Sequence, residues 1–513
     1  MKDPTNAYPP RLWTYCATEF GERFCYFGMR ALLAAYVSTV FFGNLPSNES
    51  RAHASVTYGG YTALVFSLGV LGGHVADRYF GYERSVIVGA AFITGGMTLL
   101  LANDLSIFLL GLSCIVVGSA LFKPSMISLV GRLFDNNAGN RDAGFTIFYI
   151  SVNVGAVTAP LVCGTLVSAL YGARWGLFAA ALGMPIAVFA FLRRGRNSSD
   201  AAHIERPAID RNFWICLVGM FFLLPIVFFL MDERSTVPLV ASSEGIPIIH
   251  TLLHQFGVLG CGLAVLLIAV LIRIFVSRWK ANNALELQRF YLIIVLLIGN
   301  TCFFAMLEQA GTSLNFLARD HVALPMLWGW TPHFTTFQSA GAGFVLLLGP
   351  GYSRLWQELA KRGLNPQPTT KFALALLQVG AGFFLLALAL RGSTVDHPIS
   401  WGWLMLCYLL HTSGELCIAP TGFSAVTQLA PPKEIGLLVG AWFLSFACAN
   451  FGAGLIAAAT ATTSALDAAG DIAGYVSVYD RLGVVGLASA GVMFLATIIV
   501  RRCAMHELSE SFS

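Results

Sequence analysis

Five ionisable or phenolic side chains lie close together in an apolar stretch near the start of the chain, Glu19 to Arg30. Glu19, Arg23, Tyr26 and Arg30 are separated by four, three and four residues, which puts them on one face of a helix with Glu22 at its edge. Carboxylates beside a cation can exchange an ion pair for a bound proton, so this face could carry protons and bind a charged solute. A static ion-pair lock between helices is the alternative.

Three further charged residues interrupt apolar stretches later in the chain. Lys123 precedes Pro124, which bends a helix and frees a backbone carbonyl, and Glu308 and Glu415 stand alone among apolar neighbours. A charge at bilayer depth costs free energy unless it is paired or hydrated, so each of these residues is a candidate for function. Asn153 is a polar residue in a similar setting, for which a hydrogen bond between helices is the alternative.

The composition shows what kind of protein must position these residues. Of 513 residues, 56% are hydrophobic and 11% are charged, whereas a soluble domain has about 25% charged residues. This excludes a soluble enzyme, a nucleic-acid-binding protein, a disordered chain and a secreted disulfide scaffold. The 11 cysteines form no Cys-x-x-Cys pair, and no nucleophile–base set or group of haem or metal ligands is evident. We therefore expect no cofactor, no metal and no enzymatic activity. We also expect no cleavable signal peptide, because the first apolar segment already carries Glu19, Glu22 and Arg23.

Apolar runs of about 20 residues or more predict fourteen transmembrane helices and an all-α polytopic membrane protein. No run alternates with a period of two, as the strands of a membrane barrel would. The predicted spans are 13–42, 54–76, 84–102, 106–133, 143–170, 174–193, 212–231, 250–277, 288–318, 333–353, 370–391, 400–429, 435–463 and 480–501.

The basic residues predict the orientation of these helices. If the N-terminus is cytoplasmic, 22 of the 31 Lys and Arg residues fall in cytoplasmic loops and ends, 6 in outer loops and 3 within helices. Because cytoplasmic loops carry an excess of basic residues, both termini are predicted to be cytoplasmic. We expect a multi-pass protein of the cell membrane, in a bacterium the inner membrane.

The order of the spans predicts two related halves. The longest polar connection, 194–211, follows the sixth span, and the next two spans carry almost no polar residue. The chain therefore divides into a six-helix bundle at 1–194, a linker with two extra helices at 195–285, and a second six-helix bundle at 286–513. Parallel repeats of six helices are typical of major facilitator transporters, whose substrate site lies between the halves.

The sign of the buried charges differs between the halves. Arg23, Arg30 and Lys123 lie in the first half, and Glu308 and Glu415 lie in the second. A cavity between the halves would thus be positive on one wall and negative on the other. Such a site suits a zwitterion such as an amino acid or a short peptide, because the planar guanidinium of arginine matches a carboxylate.

Several stretches resemble the proton-dependent oligopeptide transporter family of the major facilitator superfamily. They are the Glu-x-x-Glu-Arg-Phe-x-Tyr motif at Glu19–Tyr26, the stretch Phe145–Gly155, the pair Glu308-Gln309 and the stretch Gly414–Pro420. The resemblance implies twelve core helices plus two extra ones, and proton-coupled import of di- and tripeptides by alternating access. It also implies a small-molecule substrate, protons and the lipid bilayer as partners, no nucleic acid, and a protein that works as a monomer.

The resemblance further assigns roles to individual residues of this chain. Proton coupling is expected of Glu19, Glu22, Arg23, Lys123 and Glu308. Substrate binding is expected of Tyr26, Arg30, Lys123, Asn153, Glu415 and Trp442, with Trp442 as the wall of a side-chain pocket. Arg51 and Asp320 occupy the positions of an outer gate pair, and Glu308 is expected to pair with Lys123.

The sequence also departs from the family pattern at Phe27, Phe66, Phe304 and Gly341, where the family usually has Tyr, Tyr, Trp and Asn. Each lost hydroxyl or amide removes about 1 kcal/mol of net hydrogen bonding to a substrate. The alternative substrate is therefore a modified peptide or another metabolite that bears a carboxylate. The substrate itself, the proton stoichiometry and the order of binding are left open by the sequence.

Overall fold

The computed structural model describes residues 8–134, 141–195, 209–232, 247–280, 284–326, 329, 331–394, 396–429, 434–462 and 468–502. Almost all of these residues are helical. Each of the fourteen predicted spans overlaps a helix or a run of consecutive helices, so all fourteen are confirmed as helical.

In the first half of the chain, the described residues 8–134 and 141–195 form eight α-helices in six spans, three of which continue as π-helical turns. The helices are α1 (Pro10–Tyr36), α2 (Ser47–Ser67), α3 (Gly69–Val75), α4 (Tyr82–Leu99), α5 (Leu105–Arg132), α6 (Arg141–Ala159), α7 (Ala169–Tyr171) and α8 (Ala173–Gly195). The π-helical turns are Val37–Phe41, Ala76–Phe80 and Pro160–Ser168. The two extra spans are α9 (Arg211–Met231) and α10 (Pro247–Lys280), and α10 is kinked at Gly257.

In the second half, the described residues from 284 to 502 form seven α-helices in six spans. They are α11 (Ala284–Leu307), α12 (Ser313–Asp320), α13 (Gln338–Lys361), α14 (Pro368–Arg391), α15 (Trp401–Leu429), α16 (Ile435–Thr462) and α17 (Ala468–Arg502). A 3-10 turn, Glu308–Gly311, joins α11 to α12. Two short parallel strands, β1 (Val322–Ala323) and β2 (Ile399–Ser400), tie the segment after α12 to the start of α15.

Two helices begin earlier than the apolar runs predict. The second span was expected from residue 54 and the last from residue 480, whereas α2 begins at Ser47 and α17 at Ala468. Hydropathy misses these first turns because they contain Arg51 and Asp471, which are only 6% and 7% exposed. Arg51, which lies outside the predicted span 54–76, is therefore a buried residue of α2.

The described helices form two compact units, and the division between them falls within α2. One unit contains Met1–Phe41 and Leu64–Ser235, and the other contains Phe42–Ala63 and Thr236–Ser513. The predicted division at 194 and 285 concerns the order of segments along the chain and stays a prediction.

In the first unit, glycines let two helices pack directly on α1. A Cβ atom at Gly21 would lie 2.5 Å from the Cβ of Ala187 on α8, and one at Gly155 of α6 would lie 2.9 Å from the Cβ of Arg23. Added bulk at such positions costs about 1–3 kcal/mol. The close packing fixes the rotation of α1 and with it the direction of its charged face.

The membrane-facing surface of the two extra helices is extensive. In the most apolar stretches of α9 and α10, 22% and 17% of the residues are buried, against 72% for α5. Such helices are apolar all round yet largely uncovered by protein, as expected of helices that contact lipid. Eleven of the described helical spans are long and apolar enough to cross a membrane by length and composition alone.

Candidate functional site

The charged face of α1 holds two buried carboxylates on one guanidinium. The Nε of Arg23 donates to Oε1 of Glu19 at 2.7 Å and lies 3.2 Å from Oε2 of Glu22. The side chains of Glu19 and Glu22 are 3% and 1% exposed, and that of Arg23 is 17% exposed. The three side chains carry two negative charges and one positive charge, so the group can accept a proton and still keep one ion pair.

Lys123 joins this group from α5. Its ammonium lies 4.4 Å from the ring centre of Tyr26 and 5.9 Å from that of Phe66. Glu22 and Glu19 lie within electrostatic reach of it. A cation over an aromatic ring gains about 0.5–2 kcal/mol, less than a desolvated ion pair provides. The ammonium is therefore held in place, and it can still attract an anionic group.

Arg30, the second arginine on the charged face of α1, lies 5.7 Å from the ring centre of Phe27. Arg23, Arg30 and Lys123 bring three positive charges to this site, and the two glutamates bring two negative charges. These five side chains thus sum to a net charge of +1 in an apolar setting. An anionic group of a bound solute would neutralise this charge.

Asn153, which was expected to bind substrate, hydrogen-bonds within its own helix. Its Nδ2 donates to the carbonyl of Tyr149, one turn earlier in α6, at 3.0 Å, and the residue is 7% exposed. The amide thus satisfies the backbone of its own helix. A contact between Asn153 and substrate stays a prediction.

In the second unit, Glu308 opens a break in a long helical span. The helix changes to a 3-10 turn at Glu308, and the next residue, Gln309, ties the turn to α16 by donating to the carbonyl of Ala453 at 3.0 Å. The hydroxyl of Ser313 donates to Oε1 of Gln309 at 2.7 Å. Discontinuous helices of this kind mark substrate and ion sites in many transporters. Glu308 itself is partly exposed.

Glu415, the second predicted carboxylate of this unit, lies midway along α15. It is partly exposed, while its neighbour Gly414 is buried against α14 and α11. A Cβ atom at Gly414 would lie 2.9 Å from the carbonyl oxygen of Ala375 and 3.0 Å from the ring of Phe303. The close approach at Gly414 fixes the height and rotation of Glu415 in its bundle.

Trp442 lies deeper in the bundle than a pocket wall would. It is 3% exposed, and a Cβ atom at Gly422 would lie 2.3 Å from its ring. Phe446 follows one turn later on α16, with its ring centre 5.8 Å from that of Trp442 and 4.4 Å from that of Phe304. Phe446 is only partly buried. The contacts of Trp442 favour a packing role, and its role as a pocket wall stays a prediction.

Arg51 and Asp320, the predicted gate pair, are close in the structure, but Arg51 has a nearer partner. The Nη1 of Arg51 lies 3.6 Å from Oδ2 of Asp320 and 3.1 Å from Oδ2 of Asp471. The Nη2 of Arg51 also donates to Asp471, at 3.2 Å. His321 contacts the same carboxylate, with its Nε2 2.7 Å from Oδ2. Neither Asp471 nor His321 is among the site residues predicted from the sequence.

A spacing pattern in the sequence points to Asp471, although hydropathy does not show it. Asp471, Tyr475 and Tyr479 follow each other at intervals of four, as on one face of a helix. In the structure all three are buried, and the hydroxyl of Tyr475 lies 3.4 Å from Nη1 of Arg51.

A second polar cluster was also missed. Tyr352 of α13 contacts the hydroxyl of Ser413 on α15, which contacts the amide oxygen of Gln378 on α14. Near this cluster, the ammonium of Lys371 lies 4.5 Å from the ring centre of Trp356 and the residue is 8% exposed. Single polar residues in three different helices leave no pattern along the sequence that would show this contact.

These features define a class of protein before any comparison. The chain has many membrane spans, and its buried acidic and basic side chains are distributed over two compact helical units. Within the described ranges, no three His, Cys, Asp or Glu side chains are grouped closely enough to hold a metal ion. Such an arrangement is typical of an ion-coupled membrane transporter.

Comparison with known proteins gives the family. A family model named PTR2 and described as the POT family matches residues 83–472, so this chain belongs to the POT family of transporters. The chain is 32% identical to an uncharacterized transporter, YclF, of Bacillus subtilis, with 86% of each chain covered. It is 30% identical to the peptide transporter YePEPT of Yersinia enterocolitica over 86% of this chain and 85% of the relative. A di-/tripeptide transporter of Lactococcus lactis is also 30% identical, over 85% and 86%.

Solved structures agree with this assignment. A mutant of a peptide transporter POT in complex with alafosfalin is 27% identical, covers 98% of this chain and 97% of its own, and gives a TM-score of 0.78. A POT family transporter in complex with 5-aminolevulinic acid is 26% identical, covers 96% and 97%, and gives a TM-score of 0.77. The predicted major facilitator fold, with twelve core helices and two extra ones, is thereby confirmed.

Proposed function

We propose that this POT family protein is a proton-coupled symporter that imports di- or tripeptides, or similar zwitterions, by alternating access. The observation that carries the proposal is the contact of one guanidinium, that of Arg23, with the two buried carboxylates of Glu19 and Glu22. Transport needs no covalent chemistry, and the required groups are those that hold a proton at one stage and release it at another.

The proton step begins at the paired glutamates. With both carboxylates charged, Arg23 is shared, and the group has one negative charge in excess. A proton from the outer solution, bound by Glu19 or Glu22, makes the group neutral and leaves the other carboxylate paired with Arg23. Loss of the proton to a less acidic interior restores the shared state. This exchange couples the charge of the site to the pH on the exposed side.

The substrate step uses the remaining charges. Arg30 and Lys123 receive the carboxylate end of the solute, because the first unit has a net positive charge there. Glu308 and Glu415 receive the amino end, because they bring negative charge to the second unit. Neither end of a zwitterion needs to be buried without a partner, which keeps the free-energy cost of desolvation low.

Coupling between the steps passes through Lys123. In the proposed cycle, Lys123 pairs with Glu308 in the empty, charged carrier. A substrate carboxylate at Lys123 competes with this pair, and proton loss on the inner side restores it. Arg51 and Asp320 act as the outer gate. The positive-inside distribution of basic residues supports cytoplasmic termini and a location in the cell membrane.

A second candidate substrate is a carboxylate metabolite that is not an ordinary peptide. The observation that favours it is the packing of two phenylalanines, Phe27 and Phe304, at positions where the family usually has Tyr and Trp. The ring of Phe27 packs against Tyr26 at 5.2 Å, and Phe304 packs against Phe446 at 4.4 Å. The side chains of Phe27 and Phe304 offer no hydrogen bond to a peptide amide. A related transporter has been solved with 5-aminolevulinic acid, which is such a molecule.

Purified protein in a thermal-shift panel, followed by uptake into proteoliposomes, tests both candidates. A ligand that binds only the folded protein stabilises it by about 2.7 kcal/mol at a concentration of 100 times its Kd. We expect dipeptides to raise the Tm and to accumulate when the outside is more acidic, with accumulation lost on adding a protonophore. Stabilisation by non-peptide amino carboxylates alone would favour the second candidate. Uptake that does not depend on the pH gradient would contradict proton coupling.

A further inference from the structure

The gate residue Arg51 is held mainly by a carboxylate from the last helix. Both terminal nitrogens of Arg51 lie within 3.2 Å of Oδ2 of Asp471, whereas Asp320 is 3.6 Å away. Within α2, the Nη2 of Arg51 donates to the hydroxyl of Ser47 at 2.8 Å. Removing a partner from a buried charge pair costs more than removing one from an exposed pair, so Asp471 is the stronger anchor.

His321 in turn holds Asp471. Its Nε2 lies 2.7 Å from the same oxygen that Arg51 contacts, and both side chains are at most 10% exposed. A carboxylate only accepts hydrogen bonds, so a neutral imidazole must donate from Nε2, which leaves Nδ1 as its basic nitrogen. The ring of His321 also meets that of Tyr475 edge-on, with the ring centres 5.6 Å apart.

The charges around His321 balance when its ring is neutral. Arg51 on α2 and Arg319 on α12 are positive, and Asp320 and Asp471 are negative. Arg319 is occupied by Asp320, with bonds of 2.7 and 3.0 Å. A proton on His321 therefore puts a second cation on Asp471, beside Arg51, and gives the cluster a net charge of +1. An excess charge in a buried cluster is unfavourable, and the contact between Arg51 and Asp471 is the one it weakens.

We propose that Asp471, held by neutral His321, positions Arg51 in the outer gate, and that a proton taken up by His321 from the outer solution releases Arg51. The idea rests on the proposed transport function, since a gate has meaning only in a transporter. Arg51 lies in the part of α2 that belongs to the second unit, while α2 after Ala63 belongs to the first. Release of Arg51 would let the first part of α2 leave the second unit. Acid outside would thus open the carrier to the side from which protons and substrate enter.

The proposal is tested by measuring a distance across the outer gate in the absence of substrate. Spin labels on unnatural amino acids at the exposed positions Asn44 and Asp396 report the separation of the segment before α2 from the rest of its unit. In the wild type we expect the distance distribution to shift to longer values as the pH falls from about 7.5 to about 5.5, the range in which imidazole changes charge. Because no substrate is present, the distance can fail to respond to pH while the transport proposal stands. Equally, the distance can respond to pH although no peptide is transported.

A set of variants distinguishes a positioning role of His321 and Asp471 from a purely structural one. H321Q can still donate to Asp471 but stays neutral, so its distribution should remain short at both pH values; H321N is the substitute if H321Q does not fold. The distance distribution of D471N should lie at long values at both pH values, and that of D471E should again respond to pH. H333Q is the matched control, because His333 contacts Thr335 and lies outside the cluster, so it should respond as the wild type does. A wild-type response in H321Q, or a larger effect of D320N than of D471N, would overturn the proposal.

Discussion

The guanidinium of Arg23 lies 2.7 Å from the carboxylate of Glu19, one helical turn earlier on α1. The same nitrogen lies 3.2 Å from Glu22, so one cation serves two acids in a place almost closed to solvent. A group of this composition is not an efficient lock, because one of its two acids is always less well paired than the other. It is well suited to hold a proton during part of a cycle.

Replacing Arg23 by alanine should lower the stability of the protein strongly. The change leaves two buried carboxylates without their cation, and breaking a buried ion pair from one side costs about 3–5 kcal/mol. Arg23→Lys keeps the charge but loses the planar fork, so we expect part of that stability to return. The measurement is the Tm of purified protein in detergent for the three forms.

An exposed pair provides the control for this effect. Arg362 lies 2.9 Å from Glu358 one turn away, with side chains that are 66% and 51% exposed. Arg362→Ala should cost no more than about 1 kcal/mol, since exposed pairs are solvated and screened. Equal losses of Tm for Arg23→Ala and Arg362→Ala would show that the α1 group is not a buried pair in the membrane protein.

Lys123 should recognise the carboxylate of the substrate. Lys123→Gln removes a charged donor, so the affinity for a peptide with a free C-terminus should fall about 10–100-fold, corresponding to about 1.5–3 kcal/mol. A peptide with an amidated C-terminus should bind the wild type weakly and lose little further in the variant. Titration calorimetry with both peptides on both proteins measures the coupling between the lysine and the carboxylate.

The matched control for Lys123 is a second cation on the same helix. Arg132, at the end of α5, lies 4.6 Å from the ring centre of Tyr82 and is not part of the site. Arg132→Gln should therefore leave the preference for the free C-terminus intact. If Lys123→Gln weakens both peptides equally, the lysine has no particular role towards the carboxylate.

Substitutions of Trp442 and Phe446 should distinguish a residue that packs the helix bundle from one that selects the substrate. Truncation of a buried aromatic residue costs about 3–5 kcal/mol, so Trp442→Ala should lower the Tm markedly. Phe446→Ala removes a less buried ring and should instead widen the range of accepted side chains, with relative affinities changed about tenfold. Thermal shifts with a series of dipeptides of increasing side-chain size measure both effects. A Trp442→Ala variant of normal Tm with altered selectivity would restore Trp442 as the pocket wall.

Much of the fold and of the first site could be predicted from the sequence because both are local. Apolar length predicts each membrane span, and the spacing from Glu19 to Arg30 along one helix already puts these residues on one face. A buried ammonium needs a partner, but it was the family resemblance that grouped Lys123 with the glutamates of that face.

The residues that were missed depend on contacts between distant parts of the chain. Arg51 and Asp471 are 420 residues apart, and each looks like a loop residue until the other is seen to neutralise it. Hydropathy therefore placed the start of both helices too late. The burial of Trp442 follows from a close approach at Gly422, which no local pattern reports.

The most direct measurement of the central claim compares two kinds of transport by Glu22→Gln in proteoliposomes. Glutamine keeps the shape of Glu22 but cannot release a proton, so accumulation driven by an imposed pH gradient should be lost. Counterflow, which exchanges labelled for unlabelled substrate without net proton movement, should remain. Glu358→Gln, a change at an exposed glutamate, should retain both activities. If Glu22→Gln still accumulates substrate against a gradient, proton coupling does not reside in the buried carboxylates of α1.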